Sequence, residues 1–259
     1  MSAVTLERLP GHVALVTIDR REARNAVNGE VAAGLEAAID ATEADDAVRA
    51  VVLTGTGREA FCAGADLKEI SAGRGSALRT ERGGFAGFVF RERSKPWIAA
   101  VNGKALAGGT ELVLACDLVV AVQQATFGLP EVLRGLIAAA GGLYRLPRAI
   151  PPNVALELIL TAGQLDAERA HRFGWVNRLV PDVDALRETA LALAGEIARN
   201  APLAVRESLR VAREANNGLD EAALRALTRS AFERVVASED FKEGPRAFIE
   251  KRAPRWSGR

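Results

Sequence analysis

The sequence says most through what it has little of. Its 259 residues include two histidines (His12, His171), two cysteines (Cys62, Cys116), one methionine and one tyrosine, Tyr144. A three-histidine zinc site, a four-cysteine metal site or an iron–sulfur cluster cannot be built from this chain alone. A disulfide framework is excluded as well, which fits a reducing compartment. Neither sign of charge dominates: 34 basic and 33 acidic residues leave a formal net charge of +1. No bulk field therefore draws in nucleic acid or an anionic membrane. The longest apolar stretches are broken by Asp117, by Gly141-Gly142 or by Arg145, so no membrane-spanning segment is expected. Met1 to Arg8 has no long apolar core after a basic start, and the expectation is a cytoplasmic protein. Carboxylates and backbone groups are left to carry any chemistry.

What is present alternates strand and helix signals. Val13 to Ile18 alternates and is rich in β-branched residues, as in a strand. From Asn28, a capping residue, Val31, Leu35 and Ile39 recur on one helical face up to about Thr42. Ala50 to Leu53, Trp97 to Val101 and Leu118 to Val122 are short apolar runs, as in strands covered on both faces. Strands separated by helices predict a layered α/β core with mostly parallel pairing, residues 1–195. Residues 196–259 read as helical. Pro202 opens one helix that ends near Asn216-Asn217-Gly218, and Asp220 caps another bearing Leu224, Leu227, Ala231 and Val235. Ser71 to Ser94, with five glycines, five arginines, Phe85, Phe88 and Phe90, is too long for an ordinary connection. It reads as a functional lid or a locally disordered loop.

Several motifs fail on context. Gly55-Thr56-Gly57-Arg58-Glu59-Ala60 matches a loose dinucleotide fingerprint, yet Phe61-Cys62-Ala63-Gly64-Ala65 restarts a glycine turn where a long helix is needed. Gly103-Lys104 is followed by Ala105, so there is no phosphate loop, and no serine stands in a nucleophile elbow. His12 and His171 lack partners at metal spacing and read as structural. Cys116 reads as a small buried hydrophobe, and Cys62, without a basic neighbour, as a packing residue.

Three segments remain: Ala60 to Lys68, Asn102 to Leu112, and Thr126 to Glu131 continuing to Pro147. The first two place small residues where a strand gives way to a helix. Such turns leave backbone N–H groups unpaired and allow close approach. Two of them aimed at one oxygen would make an oxyanion hole; glycine turns that merely pack tightly would look the same in sequence. Glu111 opens an otherwise apolar helix, and Glu131 follows Gly-Leu-Pro among few polar neighbours. Desolvated there, both would have raised pKa values suited to acid–base work, although either could be a helix-start residue.

Together these segments resemble the crotonase, or enoyl-CoA hydratase/isomerase, superfamily. The likeness starts at Arg24-Asn25-Ala26-Val27-Asn28 and ends at Phe248-Ile249-Glu250-Lys251-Arg252. It implies a ββα superhelix core and a C-terminal helical trimerisation region. It implies that Ala65 and Gly108 donate the oxyanion-hole N–H groups to a thioester carbonyl. Glu111 would activate water for attack at the β-carbon, and Glu131 would move the proton at the α-carbon. Arg24, Ala26, Ala63 and Lys68 would lie along coenzyme A. Phe248 and Lys251 would reach a CoA site, their own or a neighbouring subunit's. The implied reaction is syn hydration of a trans-2-enoyl-CoA to a 3-hydroxyacyl-CoA, or its reverse. Coenzyme A enters as part of the substrate, with no separate cofactor and no metal. The implied assembly is a homotrimer or a dimer of trimers, with no nucleic-acid or membrane partner. Double-bond isomerisation and specialised dehydration stay open, since Lys251 to Arg259 resembles a branch with carnitinyl-CoA dehydratase-like proteins. Non-catalytic acyl-CoA or RNA binding ranks below them, the Asn28 to Asp46 helix being acidic. Two departures concern the acyl end: Leu136 to Ala140 replaces the Pro and Gly common after Gly135, and Thr110 stands where cysteine is common.

Overall fold

The computed structural model describes residues 2–259. Six strands make the main sheet: β1 (Val4–Leu9), β2 (Val13–Ile18), β3 (Ala50–Gly55), β7 (Trp97–Val101), β9 (Leu118–Val122) and β12 (Arg178–Val180), adjacent in that order. β1 and β2 are an antiparallel hairpin and every other pairing is parallel. A second sheet sets β4 (Ala60–Cys62), β8 (Lys104–Leu106), β10 (Thr126–Gly128) and β11 (Gln164–Asp166) side by side. There β4, β8 and β10 are parallel and β11 is antiparallel to β10. β5 (Arg79–Thr80) and β6 (Gly84–Phe85) form a separate small hairpin.

The helices are α1 (Gly29–Ala44), α2 (Leu67–Ser71), α3 (Gly108–Ala115), α4 (Gly142–Ala149), α5 (Pro152–Thr161), α6 (Ala167–Arg172), α7 (Val183–Ala198), α8 (Pro202–Asn216), α9 (Glu221–Val236) and α10 (Glu239–Ile249). A repeat runs through this order. β3 leads to β4 and then α2, β7 to β8 and then α3, and β9 to β10 and then a 3-10 turn, Pro130–Arg134. Each turn of the repeat puts one strand in each sheet. The C-terminal ends of β4, β8 and β10 therefore lie side by side, the position where parallel α/β sheets present their binding groups.

β2, β3, β7 and β9 lie where the sequence patterns predict them, because strands covered on both faces must be continuously apolar. Trp97 is fully buried and its ring meets Phe88 edge-on, with centroids 5.1 Å apart. α7 lies across β3, β7 and β9. Its most buried row is Leu186, Ala190, Ala194 and Ala198. Asn28 caps α1 through its side-chain oxygen, which accepts from the Val31 N–H at 3.0 Å.

The Ser71–Ser94 stretch is an ordered cover, and its partner is the acidic face of α1. Arg82 and Arg91 both pair with Asp40 at 2.6 Å. Thr80 donates to Glu36 at 2.8 Å, and Ser94 donates to Glu43 through both its hydroxyl and its backbone. Leu78, Ala86, Phe88 and Val89 are buried beneath. The clustered carboxylates and the arginine-rich loop are two halves of one contact.

Lys95 ends α1. The lysine is fully buried, and its ammonium donates to the carbonyls of Thr42, Glu43 and Asp45. A cation at a helix C-terminus meets both the unpaired carbonyls and the negative end of the dipole. Arg93 is also buried: it donates to Phe88 O and Ala115 O and lies 4.1 Å from the Phe88 ring centroid. It ties the cover to the end of α3. In the C-terminal region Arg213 of α8 pairs with Asp117 at 2.8 Å, and Trp256 donates to Arg199 O at 2.8 Å. Among the described residues no helix is long and apolar enough to cross a membrane.

Lys95→Met should lower the unfolding free energy by about 2–3 kcal/mol, since three carbonyls lose a charged donor in a dry setting. Urea denaturation of both proteins measures this; a loss within about 0.5 kcal/mol, typical of a surface change, would remove the capping role.

Candidate active site

The turn after β4 lies against the start of α3. A Cβ at Gly109 would sit 1.9 Å from the Cys62 carbonyl oxygen, so only glycine permits this approach. Gly64 has φ +90, and a Cβ there would come within 3.1 Å of the Gly108 nitrogen. The turn bearing Ala65 and the helix start bearing Gly108 are thus one surface. Among the described residues neither the Ala65 nor the Gly108 N–H has a protein acceptor. Ala107, the residue before, has φ +52 and ψ −126, a conformation that costs an L-residue of order 1–3 kcal/mol. Its ψ sets the plane of the peptide that carries the Gly108 N–H. Phe85, from the cover, lies over Gly108, where an added Cβ would meet its ring at 2.3 Å.

The segment from Arg24 to Val27 fixes the Ala65 turn from the other side. Val27 N–H donates to Gly64 O at 2.8 Å, Asp66 N–H to Val27 O at 2.9 Å, and Ala63 N–H to Arg24 O at 3.1 Å. Asn25 explains the first motif of the sequence. Its amide donates to Thr56 O and Ala60 O and its oxygen accepts from the Arg20 N–H and the Thr56 hydroxyl. Asn102 does the same from just after β7, donating to Gly57 O and Ala60 O and accepting from the Gly55 N–H. Gly55 to Ala60 is therefore a buttressed turn leading into strand β4, not a nucleotide loop. Arg20 pairs with Asp66 at 3.1 Å, and Asp66 caps α2. Arg24 and Lys68 are exposed beside half-buried Ala63, while Ala26 is buried. Phe248, 86% exposed, and Lys251 stand at the end of α10, outside this cluster of the same chain.

The two carboxylates enter from different turns of the repeat. Glu111, on the first turn of α3, is 3% exposed, and its Oε1 accepts from the Gly142 N–H at 2.9 Å. It thereby meets the N-terminus of α4. Burial pushes its carboxyl up to about 7; the Gly142 hydrogen bond opposes that rise and the charge of Glu131 adds to it. Glu131, in the 3-10 turn after β10, is raised too, chiefly by burial. Its Oε2 is buried with no protein partner, the mark of a polar atom reserved for something else. Thr110 bridges the strands between them: its hydroxyl lies 2.7 Å from Ala105 O and accepts from the Gly128 N–H at 3.0 Å. The Cys62 thiol, pushed up to about 12 by burial, stays protonated as a packing residue should.

Sequence reasoning did not find the Gly142 N–H partner, the strain at Ala107, or Arg145. Arg145 donates to Val89 O at 2.7 Å and its charge reaches Glu111. The Gly141-Gly142 pair opening a helix was a usable signal for the first; nothing local marks the other two.

Residues 8–259 match the profile of the enoyl-CoA hydratase/isomerase family. A mevalonyl-coenzyme A hydratase of Aspergillus fumigatus is 42% identical over 252 residues, 95% of this chain and 91% of that protein. A carnitinyl-CoA dehydratase of Proteus mirabilis is 37% identical over 253 residues, 96% of each. The crystal structure of an enoyl-CoA hydratase from Mycobacterium tuberculosis superposes with a TM-score of 0.95 at 44% identity, covering all of both chains.

A carboxyl raised by folding stabilises the fold fully below its unfolded pKa and loses that contribution as pH rises through the folded value. For Glu111 the window runs from 4.5 to about 7, and the loss is up to about 3 kcal/mol. Glu111→Gln should thus gain in melting temperature over the parent between pH 5 and pH 8. Parallel melting curves across that range would contradict the desolvated carboxylate.

Proposed function

The chain belongs to the enoyl-CoA hydratase/isomerase family, and from that premise we propose that it is an acyl-CoA lyase adding water across a trans-2-enoyl-CoA. The observation that carries this is the pair of desolvated carboxylates, Glu111 and Glu131, beside the two free N–H groups of Ala65 and Gly108.

Attack of water at the β-carbon pushes charge onto the thioester oxygen. The Ala65 and Gly108 N–H groups stabilise it, each worth about 3–4 kcal/mol in sites of this kind. Ionised Glu111 takes one proton from the water as its oxygen bonds to the β-carbon. Protonated Glu131 delivers a proton to the α-carbon, forming the new C–H bond on the same face. Exchange with solvent restores both carboxyls, and dehydration runs the same steps backwards. Coenzyme A is part of the substrate, and this acid–base route needs no metal or redox group. The coenzyme runs past Arg24, Ala26, Ala63 and Lys68. Phe248 and Lys251 complete the CoA site of a neighbouring subunit. Support for an assembly comes from the exposed apolar residues Phe232, Phe248 and Ile249 on α9 and α10, which are costly to leave in water. A homotrimer or a dimer of trimers of the helical 196–259 region fits them, in a reducing cytoplasm that leaves Cys62 and Cys116 free.

Glu131→Gln should cut crotonyl-CoA hydration at least about a hundredfold, the scale of general acid–base catalysis; near-normal turnover would sink the assignment. In the parent, kcat/KM should fall as pH drops below about 7, where Glu111 gains its proton, and a flat profile down to pH 5 would remove its role as base. Light scattering should give three or six times the 27.5-kDa chain, and a monomer would refute the assembly.

A further inference from the structure

The two proposed oxyanion donors are aimed by different means. Gly108 opens the eight-residue helix α3, and the Ala107 carbonyl of the same peptide accepts from the Glu111 N–H at 3.2 Å. That helix fixes its own donor. Ala65 precedes α2, a helix of only five residues, and lies outside it. Its peptide is fixed from elsewhere. The Gly64 carbonyl accepts from the Val27 N–H at 2.8 Å, and the Asp66 N–H donates to the Val27 carbonyl at 2.9 Å. The Gly64–Ala65 peptide is trans and planar, so its carbonyl and its N–H point in opposite directions. With the carbonyl turned to Val27, the Ala65 N–H is turned away from it, and among the described residues no protein group accepts that N–H.

The aim of that donor depends on where Val27 sits, and Val27 belongs to no helix or extended strand. It meets Ala65 in a single isolated bridge. The residues just before it are strained: Arg24 and Asn25 have φ of +53 and +56, two successive left-handed conformations, uncommon for side chains other than glycine and asparagine. One side chain reaches both halves of the bridge. Arg20 Nη1 donates to the Ala26 carbonyl at 2.6 Å and to Asp66 Oδ2 at 3.1 Å. The Arg20 main chain holds the loop between. Its carbonyl accepts from the Ala23 and Asn25 N–H groups, each at 2.9 Å, and its N–H donates to Asn25 Oδ1 at 3.1 Å. Ala26 adjoins Val27 and Asp66 adjoins Ala65, so the guanidinium grips the bridge one residue away on each side. The Arg20 and Asp66 side chains are 18% and 11% exposed, which spares the pair most of the screening that weakens an ion pair in open water.

Resting on the acyl-CoA reading above, we propose that Arg20 is a positioning residue for the reaction: by clamping Ala26 to Asp66 it keeps the Val27–Ala65 bridge in place and the Ala65 N–H aimed at the thioester oxygen. The clamp matters most when that oxygen is charged. A donor turned slightly off line loses little against a neutral carbonyl and much more against an oxyanion, whose hydrogen bonds are stronger. Loss of Arg20 therefore weakens binding of the charged form and leaves the neutral ester nearly untouched, the signature of an interaction used in the transition state.

Titration of the intact protein with two thioesters tests the clamp apart from turnover. Butyryl-CoA presents a neutral carbonyl. Acetoacetyl-CoA loses a proton from the carbon between its two carbonyls, and the resulting enolate, followed by its ultraviolet absorbance, puts negative charge on the thioester oxygen. In Arg20→Gln enolate binding should weaken about tenfold, a fraction of the hundredfold or more that removing a whole donor costs, with butyryl-CoA binding within about twofold of the parent. Equal weakening of both esters, or of neither, overturns the positioning role and leaves the acyl-CoA reading standing. If Arg20→Gln does not fold, Asp66→Asn takes its place, since it keeps an acceptor for the Lys68 N–H and loses the charged partner of Arg20. There the preference for enolate over butyryl-CoA should fall about threefold, as a charged hydrogen bond becomes a neutral one; an unchanged preference overturns the proposal. Failure of the parent to bind either ester overturns both readings. Absence of crotonyl-CoA hydration with the change in preference intact removes the hydratase reaction alone and supports the clamp.

Discussion

The contact on which the rest depends is the approach of two backbones, where the start of α3 presses on the end of β4. Gly109 lies so close to the Cys62 carbonyl that no side chain fits between them. That closeness brings the Ala65 and Gly108 N–H groups to one surface, and it fixes the first turn of α3 and with it Glu111. Much of the surrounding structure serves this contact. Asn25 and Asn102 hold the turn before β4, Thr110 ties the start of α3 to its neighbouring strands, and Arg93 ties the end of α3 to the cover.

The site is built from features that cost stability. Two N–H groups go unpaired, Ala107 sits in a conformation that disfavours any side chain, and two carboxyls are drawn out of water. Such costs are characteristic of sites organised before the substrate arrives. The buried apolar central strands of the main sheet and the ion pairs between α1 and the cover offset them. The repeat distributes the burden, since Ala65, Gly108 and Glu131 each follow the second strand of a successive ββα turn. No single segment carries all of the strain.

Legibility followed length and burial. β2, β3, β7, β9, α1 and α8 were readable because each carries a full apolar pattern or a cap. The second sheet was not, because strands of three residues such as β4, β8 and β10 are too short to show a period. β1, an edge strand with half its residues in water, also escaped notice. The Ser71–Ser94 stretch looked structureless because its order comes from Asp40, Glu36 and Glu43, tens of residues away in the chain.

By itself the sequence determined which chemistry was available. The scarcity of histidine and cysteine left carboxylates and backbone, and the glycine turns with Glu111 and Glu131 were visible as local spellings. Only the tertiary structure decided that the two turns meet, that Gly142 holds Glu111, and that Glu131 keeps an oxygen without a partner. The reason is that turn propensity is a property of neighbours in the chain. Convergence and desolvation belong to residues that only folding brings together.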